Sequence, residues 1–268
     1  MLFGSIRKLT RPRHSAGLGF SLLEISVVLI IISTIIGVGV AYLGLSVEKA
    51  QRDTTTQRMQ AIQKALLDYR RAFGAIPCPS DITLAVTNTA FGRGNLTTPC
   101  DAGTTDPNYN GDMGPDVWVG GVPVRTLKLP DEYAFDGWGR RFTYAVDQNF
   151  TSAMNITGFH LFAVDSDPGT VPIADGNGNT ITSNALYAIV SHGPNGHGAF
   201  TRYGTARVNA SSSNTYEQQN CGCNASAVYT LYGSFVQGPY TTDTADSTDT
   251  FDDIVVYGTR RSLRHATE

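Results

Sequence analysis

The sequence predicts an α+β protein: one long N-terminal helix packed on a C-terminal antiparallel β-sheet. Three observations carry this. An apolar run without a single charge covers Ile25 to Ser46. It passes directly into a polar stretch with a helical apolar stripe that ends at Gly74. Beyond Pro77 and Pro79 the pattern changes to short β-rich runs separated by Gly, Asn and Asp turn signals.

The first element is a basic leader, residues 1–19. It holds Arg7, Lys8, Arg11 and Arg13 and no acid, so it carries +4 of a total of −3 and leaves −7 for the rest. A basic flank, an apolar run and an acidic body match the positive-inside rule, which puts the leader in the cytoplasm and the body outside. The second element is residues 20–46. The uncharged part is 22 residues, roughly 33 Å of helix at about 1.5 Å per residue, enough for a hydrocarbon core of about 30 Å. A secretory signal has a shorter apolar stretch of about 7–15 residues. A helix buried in a soluble core would make the basic flank a coincidence. One acid, Glu24, stands at the front edge of this run. The third element, residues 47–74, continues the helix. Met59, Ile62, Leu66, Tyr69 and Phe73 recur at steps of three and four, one helix face, while Arg58, Lys64, Asp68 and Arg71 lie opposite. Thr54 to Thr56 are poor helix formers and mark a soft point. Together these residues predict about 80 Å of helix.

Residues 75–268 read as a β-rich head. The stretch 75–130, rich in Gly, Pro, Asn and Thr, reads as a connecting region. Strands are expected at "RRFTYAV", "FHLFAV", "ALYAIVS", "VYTLYGSFV" and "DIVVYG". Short turns between them predict antiparallel pairing, one sheet face covering the helix stripe and the other partly meeting water. Residues 202–250 are Ser/Thr/Asn-rich and read as an inserted loop. Trp118 and Trp138 are expected to pack in the core or on the sheet.

Four cysteines follow the apolar run: Cys78, Cys100, Cys221 and Cys223. An even count in an exported domain points to disulfides. Cys78 with Cys100 would close a local Gly- and Thr-rich loop. A bridge between Cys221 and Cys223 would close a small ring, so cross-pairing stays open. Zinc is the rival reading, although the C-x-C spacing fits no common zinc pattern.

The segment "GFSLLE", behind a basic leader and ahead of an uninterrupted apolar run, resembles the type IV prepilin signature of type IV pilins and type II secretion pseudopilins. The resemblance implies a pilin fold and a basic prepilin leader cut between Gly19 and Phe20 by prepilin peptidase, with N-methylation of Phe20. It implies that Glu24 pairs with the N-terminal amine of a neighbouring subunit during filament assembly. The physics agrees: a lone carboxylate in an apolar bundle is unfavourable, whereas one opposite an ammonium is tolerated. The implied partners are other pilin or pseudopilin subunits and an inner-membrane assembly platform. The implied location is single-pass in the inner membrane, N-terminus cytoplasmic and head periplasmic. The family's usual proline in the apolar helix is absent; Gly37, Gly39 and Gly44 stand in that region.

A second resemblance lies in the C-terminal half. "DGWGRRFTYAV" is similar to a segment of the major pseudopilins of type II secretion, and "SHGPNGHG" and "DDIVVYG" stand where those proteins have a turn and a late strand. In that family the loop between the last two motifs binds calcium. Here the resemblance implies calcium held by Asp249, Asp252 and Asp253, with Asn195 where the family has an aspartate. The residues themselves leave two readings of the acids Asp243, Asp246, Asp249, Asp252 and Asp253: a solvated loop or a calcium site.

Other chemistry finds little support in the sequence. Ser191, His192 and His197 lie in a glycine turn without a G-x-S-x-G elbow. Gly193, Gly196 and Gly198 do not have dinucleotide-binding spacing. Asp165-Ser-Asp167 opens like an EF-hand, but Thr170 and Gly176 stand where glycine and glutamate belong. The chain is therefore expected to be no enzyme and, with its acidic body, no nucleic-acid binder. The expected function is a structural subunit of a pilus-like filament or a secretion pseudopilus. The alternative is a minor pilin whose head, with its long insertion, binds a surface, DNA or an exported substrate at the tip.

Overall fold

The computed structural model describes residues 21–94, 117–151, 169–204, 206–228, 230, 233–239 and 251–260. The chain divides into two units, Met1–Glu48 and Lys49–Glu268. Helix α1 spans Leu22–Phe73. In the first unit, every described side chain from Ser21 to Ile36 is exposed, among them Leu22 at 88% and Ile35 at 66%. Among the described residues no helix is long and apolar enough to cross a membrane. The apolar run itself extends through residues 37–45, whose side chains lie outside the described set.

The second unit is a six-stranded sheet with the rest of α1 packed on it. The strands are β1 (Val117–Gly121), β2 (Thr143–Asp147), β3 (Val171–Asp175), β4 (Thr180–Ser191), β5 (Phe235–Gln237) and β6 (Ile254–Thr259). Their order is β1-β2-β4-β3-β5, with β6 also paired to β4. Strand β4, the longest, organises the sheet: it pairs with β2, β3 and β6, all antiparallel. The pairing of β3 with β5 is parallel, which departs from the expected purely antiparallel sheet. Helix α2 (Thr215–Cys221) and β5 both arise from the segment read as an inserted loop, and the parallel strand enters through it. Strand β1 lies inside the stretch read as a connection, and β3 was not anticipated. Of the expected runs, "FHLFAV" lies outside the described residues.

Side chains of β2 and of the second half of β4 alternate across the sheet, as the strand period requires. Tyr144, Val146, Tyr187 and Ile189 join Met59, Ile62 and Leu66 of α1 in one core. The stripe holds as far as Tyr69, which is partly buried against this core, but Phe73 is 52% exposed. Thr55, expected at a soft point, is fully buried. Its hydroxyl donates to the Gln51 carbonyl at 2.8 Å and accepts from the Gly137 amide at 2.8 Å, so it docks α1 on the head. Arg58, expected on the solvent face, donates to the carbonyls of Phe135 and Asp136 at 2.9 and 3.0 Å.

The other face of the sheet is covered as well, contrary to the expectation that it partly meets water. Ala145, Ala188, Val190, Ile173 and Phe235 are fully buried in a second core. Trp118 packs against the edge of the first core. Arg141 is buried, and its guanidinium spends its donors on the carbonyls of Ile82, Thr201 and Arg202 at 2.8–2.9 Å. Burying that charge is tolerated because its hydrogen bonds are made and the ring of Phe91 lies 5.1 Å away.

Candidate metal centre

The two C-terminal motifs converge on one place. Asp136, in the turn that leads to β2, accepts from the amides of Trp138 and Arg140 at 3.0 and 2.8 Å. Its other oxygen accepts from the Ser191 hydroxyl at 2.8 Å, at the end of β4. This bond occupies the serine of "SHGPNGHG" and ties "DGWG" to that turn. Burial raises the Asp136 carboxyl above the usual carboxylate range. The Arg140 guanidinium donates to the Gly193 carbonyl. Gly193 has φ 57°, and a Cβ there would overlap the carbonyl and carboxylate of Asp252, so only glycine lets the turn close on the start of β6.

Under this turn lie Glu217, Asp252 and Asp253. One oxygen from each lies within 4.8 Å of the others, and the residues are 0%, 2% and 5% exposed. Glu217 stands in the first turn of α2, whose start is capped by Asn214: its side-chain oxygen accepts from the amides of Tyr216 and Glu217. The run Asn214-Thr215-Tyr216-Glu217 has the pattern of a capping box. Glu217 does not close the box. It turns inward and accepts from both the Asn195 side-chain amide, at 2.9 and 3.0 Å, and the Asp252 backbone amide, at 3.3 Å.

Asp252 accepts from the Asn195 backbone amide through Oδ2 at 2.9 Å, while its Oδ1 is buried without a hydrogen-bond partner. Asp253 accepts from the Asn220 side-chain amide at 2.8 Å. His192, fully buried, sits alongside. Its Nε2 is 2.9 Å from the Thr143 hydroxyl, and its Nδ1 lies 3.9 Å from Asp253 with no hydrogen bond.

Electrostatics make this arrangement expensive without a counter-charge. Burial, with the neighbouring Glu217 second, pushes the Asp252 carboxyl up to about 8. Burial, then Glu217 and Asp252, push Asp253 well above the carboxylate range. Burial holds His192 down at about 3, so it is neutral at pH 7 and supplies no positive charge. Arg140 lies close enough to oppose the rise at Asp252.

Three carboxylates, one with an unpartnered buried oxygen, fit a hard divalent cation, which takes oxygen ligands and relieves their repulsion. The expected ligands Asp252 and Asp253 are thus brought together and buried, which rules out the solvated-loop reading for these two. Asn195 is present but in another role. Its side-chain oxygen accepts from the His197 amide at 2.8 Å, and its NH2 group holds Glu217. Glu217 is the third buried carboxylate, which the sequence reading missed; its capping-box pattern was the available signal. Asp249, Asp243 and Asp246 lie outside the described residues, as do Gly19, Phe20 and Cys100. Glu24 is exposed in the first turn of α1. Cys78 is buried and disulfide-bonded. Cys221 and Cys223 bond to each other with Cα atoms 5.2 Å apart, which resolves the open pairing for these two. No family model, curated protein or solved structure matches this chain.

Proposed function

We propose that this chain is a structural subunit of a type IV pilus-like filament or type II secretion pseudopilus. It is made as a prepilin, cut between Gly19 and Phe20 by prepilin peptidase and methylated at Phe20. Residues 25–46 hold it in the inner membrane, with the head outside, until an assembly platform moves it into the filament.

The observation that supports this reading most is the exposure of every large apolar side chain from Leu22 to Ile36, directly behind "GFSLLE". Each such residue gains roughly 1.5–3 kcal/mol on leaving water, so the strip needs lipid or strips of its own kind around it. Glu24 alone in that strip would cost a few kcal/mol in hydrocarbon. Opposite the free amine of a neighbouring Phe20 it becomes half of an ion pair, and a wrong stagger between subunits loses that pair. The head serves the same role by being stiff: α1 docks through Met59, Ile62 and Leu66, and a calcium ion at Glu217, Asp252 and Asp253 would tie α2 to β6.

Processing tests the reading. Expressed with its peptidase, the chain should lose residues 1–19 and gain one methyl group by intact mass. Gly19→Val should leave it full length, because the cut needs a small residue there. A mature N-terminus at Met1, or near Ser46, would overturn the proposal.

A further inference from the structure

One cluster of ligating side chains is left over by the filament reading. His197, Cys221 and Cys223 are 1%, 1% and 2% exposed, and one ring nitrogen and the two sulfurs lie within 4.8 Å of one another. We propose that, once the Cys221–Cys223 disulfide is reduced, these three residues bind a thiophilic cation of the Zn2+ type, separate from the carboxylate centre.

The chemistry of the three donors points there. Thiolate and imidazole are the ligands that zinc-type cations prefer, whereas calcium takes oxygen. The histidine is arranged as metal-bound histidines are. Its Nε2 lies 2.9 Å from the Asn224 carbonyl. A proton on Nε2 donated to that carbonyl leaves a lone pair on Nδ1, whose nearest described donor, the Ser212 amide, is at a long 3.5 Å. The backbone beside the histidine also admits the two sulfurs. Gly198 follows the histidine with φ 75°, and a Cβ there would fall 2.6 and 2.7 Å from the two sulfurs. The Arg207 guanidinium donates to the Cys221 carbonyl at 2.7 Å, and a cation so near favours thiolate over thiol.

The step balances with a dithiol as the reductant. Two electrons and two protons pass from the dithiol to the disulfide, which becomes two thiols, while the dithiol becomes a disulfide. Cation binding then releases the two thiol protons and leaves two thiolates on the metal. Disulfide and metal are mutually exclusive states of one site. Glu217 and Cys221 lie one turn apart on α2, and Asn195 bridges the turn beside them, bonded to both Glu217 and the His197 amide. A hard centre and a soft centre thus share one short helix.

The test uses the detergent-solubilised full chain, reduced with dithiothreitol, freed of it without air and titrated with Co2+ as the spectroscopic probe. The expected result is a sulfur-to-cobalt charge-transfer band saturating at one equivalent and displaced by Zn2+. Cys223→Ser should lose the band, and replacing Cys78 and Cys100 together by Ser should keep it. His197→Gln should weaken Co2+ binding at least tenfold, and Gly198→Ala should weaken it too. Asp252→Asn should leave the band unchanged. Near-UV circular dichroism checks that the reduced chain keeps its tertiary structure. No band, a band of equal affinity in His197→Gln, or loss of native structure on reduction would each overturn the proposal.

Discussion

Glu24 and Glu217 occupy the same local position, the first turn of a helix, and meet opposite surroundings. Glu24 of α1 is exposed among exposed apolar side chains, whereas Glu217 of α2 is fully buried beside two further carboxylates. A helix N-terminus favours either acid by a fraction of a kcal/mol, so this shared feature does not explain the difference. What differs is where the missing positive charge comes from. On the proposed reading, Glu24 finds it on another molecule and leaves the fold of its own chain indifferent. On the same reading Glu217 takes it from a cation held within the head, which would couple folding to cation binding there. An acid at an interface and an acid in a core therefore report on assembly and on stability respectively.

The sharpest way to break this comparison is to disturb the buried carboxylates around Glu217 and the exposed Glu24 separately. Asn220 is fully buried; it bonds the Val236 amide at 2.7 Å, the Val236 carbonyl at 3.1 Å and Asp253 at 2.8 Å. Asn220→Ala strands the amide and carbonyl of Val236 and an acid, so it should destabilise the chain by roughly 3 kcal/mol or more in denaturant unfolding. Glu24→Ala should change the same curve by less than about 0.5 kcal/mol, as exposed substitutions do.

Calcium gives the next largest effect. At a hundredfold excess over its dissociation constant the ion should add about 2.7 kcal/mol, so the full chain should melt several degrees higher in calcium than in chelator. Asp252→Asn should abolish the difference, while Glu24→Ala should preserve it. Identical melting curves for the parent in both buffers, with no bound metal on elemental analysis, would remove the ion from this account.

The pH dependence is smaller and has a definite sign. Asp252 is raised to about 8 in the folded chain, against about 3.9 when unfolded. Between those values the folded state holds a proton that the unfolded state has released, so stability falls as pH rises through this window. His192 works the other way: held at about 3 when folded, against about 6.5 when unfolded, it removes stability as pH falls below about 6.5. From about pH 6.5 to 8 His192 no longer opposes the carboxyls. There, without divalent cation, Asp252 by itself should lower stability by up to about 1.4 kcal/mol per pH unit, and Asp253, also raised by burial, adds in the same direction. Saturating calcium should flatten the slope, because the loaded carboxylates are already ionised. A slope unchanged by calcium would separate the titration from the metal centre.

The two regions also differ in how far the sequence revealed them. The α1 stripe was legible because Met59, Ile62 and Leu66 repeat at the helical period over many turns. Phe73 misled because periodicity continues into a last turn that the core does not cover. Strand β1 was hidden by its two glycines, and β3 by Pro172 and its five-residue length. Helix α2, at seven residues, is too short to show a period, so only its N-terminal Asn-x-x-Glu marked it. The acids of the centre were visible as residue types. Their burial was not, because Glu217 and Asp252 are 35 positions apart and meet only on folding, through the Asp252 amide and the turn that holds Asn195.

Assembly tests the central claim most directly. The parent chain and Glu24→Ala should be expressed with the peptidase and assembly machinery, and the filaments sheared and pelleted. Both proteins should be cut at the same site, with masses that differ only by the substitution, and should bind calcium equally. The parent should appear in the filament pellet, and Glu24→Ala should remain in the membrane fraction. If Glu24→Ala pellets in filaments as well as the parent does, or if the processed parent forms none, the reading of this chain as a filament subunit registered by Glu24 is contradicted.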